Sequence, residues 1–161
     1  MKLGSGIADI PKYLKNGISV SLGADGAPCN NNLNIFNEMK LAAFIQKPIY
    51  GPEVMSAETI FYLANIEGAK ALHLDNITGS IEEGKAADLV LIDLDTIHNS
   101  LSQNEVDVYS KIVYSASAHD IKYVFVDGEM VVQNGESKFY DNEELLQKGR
   151  EELSHLIKRV N

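Results

Sequence analysis

The sequence predicts an α/β chain built from a helix–strand–helix unit, a β-rich module and a terminal helix. Three observations carry this. A helix-spaced segment, Ile7, Ile10, Tyr13 and Leu14, stops at Gly17 and passes at once into Ile18-Ser19-Val20-Ser21-Leu22, the order expected of an αβ unit. Asp127-Gly128 stands between the β-branched runs 121–126 and 129–132, among the strongest local hairpin signals. From about Asn142 to Val160, charged residues surround Leu145, Leu146, Leu153, Leu156 and Ile157, the pattern of an amphipathic helix.

The elements follow in order. The strand at Ile18–Leu22 ends in Gly23-Ala24-Asp25-Gly26, and Ala27-Pro28-Cys29-Asn30-Asn31-Asn32 is a polar loop, since asparagine side chains bond nearby backbone and favour turns. Helical spacing resumes at Leu33, Phe36, Met39, Ala43 and Ile45 and breaks before Pro48, leaving a loop with Gly51 and Pro52. Ser56 is placed to cap a helix over about 57–72, with Glu58 in its first turn, where an acidic side chain suits the helix dipole. After Leu74 the period changes to two. Residues 79–88 form a turn-rich corner that feeds Leu89-Val90-Leu91-Ile92-Asp93, read as a buried strand. The polar stretch 94–120 has no clear period, and Asn134-Gly135 marks a second turn. The expected organisation is 1–74, 75–140 and 141–161.

Composition narrows the function. With 161 residues, 45% of them hydrophobic, the chain can bury a core. Fourteen basic residues against 23 acidic give a net charge of -9, a field that repels nucleic acid. Cys29 is the only cysteine, so no disulfide forms within the chain, which fits a reducing compartment. No apolar run approaches the roughly 18 residues of a membrane span, and the N-terminal residues lack a signal pattern. These features point to the cytoplasm and to neither nucleic acid nor membrane as partner.

Asp25 is the candidate site residue. An aspartate at the C-terminal end of a strand sits where α/β folds hold catalytic groups, and Gly23 and Gly26 would let the chain turn tightly beside a ligand. Capping of the following helix, or a simple turn, is the competing structural role. Glu82-Glu83 are adjacent on a corner and point apart, as solvated residues do. Cys29 is a metal-side neighbour of Asp25 or a half-buried loop residue. His73, His98, His119 and His155 offer no His-x-His pair.

The run Leu22-Gly23-Ala24-Asp25-Gly26-Ala27-Pro28-Cys29-Asn30-Asn31, followed by Glu38-Met39-Lys40-Leu41-Ala42-Ala43, resembles the last barrel strand and following loop of the amidohydrolase superfamily. It is most similar to the branch of methylthioadenosine/adenosylhomocysteine deaminases, guanine deaminases and triazine hydrolases. The stretch from Gly79 to Val90 resembles that family's entry into its β-sandwich, and Tyr123–Gly135 resembles the sandwich's closing hairpin. The blocks stand in the family's order.

The resemblance implies the C-terminal fragment of a (β/α)8 metal-dependent hydrolase barrel, the C-terminal share of a β-sandwich and a terminal helix. A complete barrel takes roughly 250 residues, more than this chain has. Asp25 would match an aspartate presented to a divalent metal, zinc or iron, that lowers the pKa of a bound water towards about 7. The water would displace ammonia or chloride from an aromatic ring. Adenosine-type compounds are the first expectation for substrate, guanine and triazines the next. Asn30 and Asn31 could contact that substrate or simply form the loop. The family's remaining ligands, a His-x-His pair, further histidines and a catalytic glutamate, have no match here. The chain is therefore expected to be silent alone, either as a deaminase fragment or as a truncated product or assembly unit without chemistry. A further expectation is that a second copy or a missing N-terminal half covers the open strand at Ile18–Leu22.

Overall fold

The computed structural model describes residues 3–100 and 106–160. Met1 and Lys2 of the N-terminal stretch, residues 101–105 of the polar stretch and Asn161 of the terminal segment lie outside them.

Five helices open the chain: α1 (Ile10–Lys15), α2 (Ile35–Ile45), α3 (Lys47–Tyr50), α4 (Ala57–Ala64) and α5 (Ile66–Ala71). Their starts follow side-chain capping. Asp9, Asn34 and Ser56 each accept a backbone N–H of the first turn, from Lys12, Phe36 and Thr59 respectively, satisfying donors that no helix bonds internally. The Ser56 cap is the one expected. Pro48, expected in a loop, sits instead in the first turn of α3, where its missing N–H costs nothing. The single helix expected over 57–72 is two, because Asn65 leaves helical geometry (φ -125, ψ -99); its side-chain amide donates to the Phe61 carbonyl at 2.8 Å.

Strands β1 (Leu89–Ile92), β2 (Ile121–Val126), β3 (Glu129–Gln133) and β4 (Glu136–Ser137) form an antiparallel meander in sequence order. The hairpin turn is as expected: Asp127 and Gly128 both have positive φ, 49 and 80, the geometry that matches the strand twist. The expectation of a buried β1 does not hold. β1 is an edge strand, and Val90 and Leu91 are 53% and 45% exposed.

The stretch without clear period folds as α6 (Val108–Ser110) and a π-type turn, Lys111–Ser115, closed by the Ala116 N–H on the Lys111 carbonyl. Val113 and Ala116 enter the core with Phe36, Met39 and Ala43 of α2 and Ile60 and Leu63 of α4, while Ile92 and Ile121 pack against it from one end of the sheet. Two further joints fix the corner. Gly79 has φ +91, and a Cβ there would stand 2.6 Å from the Ala69 Cβ on α5. Asp88 accepts the Thr78 hydroxyl at 2.7 Å and the Asp127 N–H at 2.8 Å, tying the corner to the hairpin turn.

Helix α7 (Asn142–Val160) closes the chain. Gly149 lies in its middle, at a cost of about 1 kcal/mol relative to alanine.

Asp120, in the turn that leads into β2, is buried, 4% exposed. Burial opposes its ionisation most, but His98 at 3.1 Å and the Ser117 N–H and hydroxyl together outweigh it and hold the carboxyl below its usual range. Backbone hydrogen bonds lower Asp88 and Asp93 as well. A depressed native pKa gives stability that is present above the unfolded value and lost as pH falls through the native one. The transition temperature should therefore fall as pH drops below about 4, and Asp120→Asn should flatten that fall. A pH-independent midpoint across this range, followed by circular dichroism, would contradict the account.

Candidate active site

The run expected as the last barrel strand, Ile18–Leu22, does not form a strand here, because no strand lies beside it to pair with among the described residues. It is anchored at its ends, where the Ile18 N–H donates to Tyr13 and the Leu22 N–H donates to the Leu63 carbonyl at 3.0 Å. Local sequence makes it apolar enough to lie against the helices, and Val20 and Leu22 pack on the core. A cleft opens between this run, α1 and α2, lined by apolar groups such as Ile10, Val20, Leu41 and Ile45, together with Glu38 and Gln46.

Asp25 follows the run and is exposed. It takes the left-handed region itself, with φ 58, which aspartate tolerates because its short carboxylate bonds locally. Oδ1 accepts the Gly26 N–H at 2.7 Å. The tight turning expected of Gly23 and Gly26 is not used: neither has positive φ, and an added Cβ would meet nothing closer than Pro28 Cδ at 3.6 Å. The turn belongs to Asp25.

One further turn locks the loop. The Gly26 carbonyl accepts the Cys29 and Asn30 N–H groups at 2.9 and 3.0 Å. The Asn30 side-chain oxygen Oδ1 accepts the Asn32 N–H at 3.2 Å, and its side-chain Nδ2 donates to Glu38 Oε1. Glu38 thus links the loop to the cleft, a role invisible in sequence because the partners are eight residues apart across a loop–helix junction. Asn31 is exposed on the same loop.

Cys29 is brought to Asp25. Its thiol is pushed up by donating to the Asp25 carboxylate, then by burial and by that carboxylate's charge. At neutral pH it is a protonated donor, whereas a metal ligand must be a thiolate.

The histidines stand apart. His73 has positive φ (59) after α5, His98 pairs with Asp120, His119 lies in a 3-10 turn and His155 on α7. Glu82 is bound to Ser80 and Lys85 on the surface. Among the described residues, no three His, Cys, Asp or Glu side chains come together to hold a metal ion. A catalytic zinc takes three protein ligands, so the residues present do not fit a catalytic metal by themselves. Metal analysis of the 161-residue chain after dialysis should find zinc or iron well below one per chain; a tightly held, stoichiometric ion on Asp25 in the monomer would contradict this.

The Amidohydrolase family model matches residues 1–131, and the chain belongs to this family. It is 45% identical to the 5-methylthioadenosine/S-adenosylhomocysteine deaminase of Thermodesulfovibrio yellowstonii over 92% of the chain and 33% of that protein. It is 37% identical to a 5′-deoxyadenosine deaminase of Methanosarcina acetivorans over 100% of the chain and 36% of that protein. An adenosine deaminase from Xanthomonas campestris, solved with bound zinc, superposes with a TM-score of 0.90 at 29% identity, covering 98% of this chain and 35% of that one. The chain spans about a third of the length of these relatives. No described helix is long and apolar enough to cross a membrane.

Proposed function

We propose that this chain is the C-terminal share of a metal-dependent hydrolase that deaminates an adenosine-type compound in the cytoplasm, and that Asp25 is its contribution to the metal site. The carrying observation is an exposed carboxylate on a left-handed turn, oriented by the Gly26 N–H, in a chain 45% identical to a deaminase of that substrate class. In this reading residues 1–74 are the last strand and helices of a barrel, 75–140 the C-terminal part of a sandwich and 141–161 the terminal helix. Zinc or iron would be completed by ligands from outside the described residues.

Asp25 would supply a negative oxygen and accept a proton. Asn30, held by Glu38, and Asn31 would edge the substrate. Guanine and triazine-like rings are the next candidates. A purely structural role, as an assembly unit covered by a second copy or by an N-terminal half, is the second reading, and the unpaired run at Ile18–Leu22 favours it for the chain in isolation.

The test joins this chain to the N-terminal two thirds of the Thermodesulfovibrio relative. Ammonia release from 5′-methylthioadenosine by the joined protein, with none from the chain alone, is the expected result. A soluble, metal-loaded joined protein that releases no ammonia from adenosine-type, guanine or triazine substrates would overturn the reading.

A further inference from the structure

The loop that carries Asp25 is bonded to the helical core through Glu38. Glu38 stands in the first turn of α2, between Phe36 and Met39, which are 6% and 3% exposed and belong to the core cluster. Core packing thus holds its backbone. Its Oε1 accepts the Asn30 side-chain amide. A carboxylate only accepts hydrogen bonds, so it turns the Asn30 nitrogen towards itself and the oxygen away. That oxygen takes the Asn32 N–H at 3.2 Å. The Asn30 side chain is oriented from both ends.

Asn30 passes this constraint on. Its N–H donates to the Gly26 carbonyl at 3.0 Å, beside the Cys29 N–H on the same oxygen at 2.9 Å. The Gly26 N–H in turn donates to Asp25 Oδ1 at 2.7 Å. Hydrogen bonds in series therefore run from α2 to the Asp25 carboxylate, by way of Asn30 and Gly26. Such a network ends on a charged group at each end, Glu38 and Asp25, which strengthens its terminal bonds.

We propose that Glu38 is a positioning residue for Asp25, aiming its carboxylate through Asn30 and Gly26. This rests on the reading of Asp25 as a site residue. Glu38 itself acts only through the loop. When the tether is cut the carboxylate drifts, and a misplacement of about 1 Å can cost on the order of 10²-fold in rate. Because Asp25 would take a proton rather than hold the substrate, the loss falls on kcat with KM little changed.

Two measurements test this. On the 161-residue chain, Cys29 is the only cysteine, and its N–H shares the Gly26 carbonyl with that of Asn30. Its rate with an aryl disulfide therefore reports how firmly the loop is held. Rates are taken over roughly pH 7–10, spanning the usual thiol pKa of about 8.5, so that charge effects separate from exposure. Glu38→Gln loses the charge but keeps an acceptor oxygen for Asn30, whereas Glu38→Ala loses both. Glu38→Ala should react at least about threefold faster than Glu38→Gln, because a loop that opens more often exposes its thiol more often. Asn30→Ala breaks the same bond from the loop side, and combining it with Glu38→Ala should add nothing to either change alone. Circular dichroism checks that the helices are retained. Equal rates for Glu38→Ala and Glu38→Gln would overturn the tether.

In the protein joined to the N-terminal two thirds of the relative, Glu38→Ala should lower kcat at least about tenfold. The unfolding midpoint should be kept, and Glu38→Gln should recover most of the loss. A normal kcat for Glu38→Ala beside an impaired Asp25→Asn would overturn the proposal and leave the reading of Asp25 intact. A soluble, metal-loaded joined protein without activity would overturn that reading and, with it, the positioning role.

Discussion

Asp25→Asn, introduced into the protein that joins this chain to the N-terminal two thirds of a deaminase relative, should lower kcat by about 10²–10⁴-fold, the range associated with a positioned proton acceptor. The amide preserves the shape of the side chain and its oxygen still accepts the Gly26 N–H bonded to Asp25. Asparagine also tolerates the left-handed backbone that Asp25 occupies. The fold should therefore be untouched, and unfolding midpoints of the two proteins should agree. What is lost is the negative charge and the capacity to take a proton. His98→Ala should change kcat little in the same background, since His98 is engaged with Asp120 on the sheet module. A near-normal kcat for Asp25→Asn would remove Asp25 from the site.

The second large effect is on stability. Ile60 of α4 is 0% exposed in the cluster formed by α2, α4 and the turn after α6. Ile60→Ala removes three carbons from the place where those elements meet, and such truncations cost about 2–5 kcal/mol when the surroundings cannot collapse. A small domain has only about 5–15 kcal/mol in total, so urea unfolding should shift strongly or the variant should fail to fold. Ile97→Ala is the matched control, because Ile97 is 96% exposed and surface changes stay within about 0.5 kcal/mol. Equal effects of the two substitutions would mean that the core has been misplaced.

What sequence revealed divides along the line between local and distant causes. The Asp127-Gly128 turn, the Ser56 cap and the terminal helix are written in a few consecutive residues, and all three are present. The break at Asn65 and the inclusion of Pro48 in α3 depend on how one turn bonds its neighbour, which periodicity does not register. The exposure of β1 depends on its place at the sheet edge, and hydrophobicity alone could not report that. The Lys111–Ser115 turn has five residues per hydrogen-bonded loop, a period that matches neither helix nor strand template and left its stretch unread. At the candidate site, Asp25 is singled out by its position after an apolar run and by family likeness. The Cys29 thiol and the Asn30–Glu38 link required coordinates.

The unpaired run at Ile18–Leu22 bears on catalytic accuracy. A reacting group must be held to about 0.5 Å to keep its effect, and rigid sheets achieve this by bonding a strand along both edges. Here the segment before Asp25 is tied at Ile18 and Leu22, with no ladder between. In the proposed reading this chain provides the carboxylate and its local turn, and the rest of the pre-organisation of that carboxylate towards a substrate would come from backbone lying alongside. On that reading the chemistry and part of its precision would be encoded in different stretches of polypeptide, and a substitution in an adjoining strand would dull the site without touching any residue that meets the substrate.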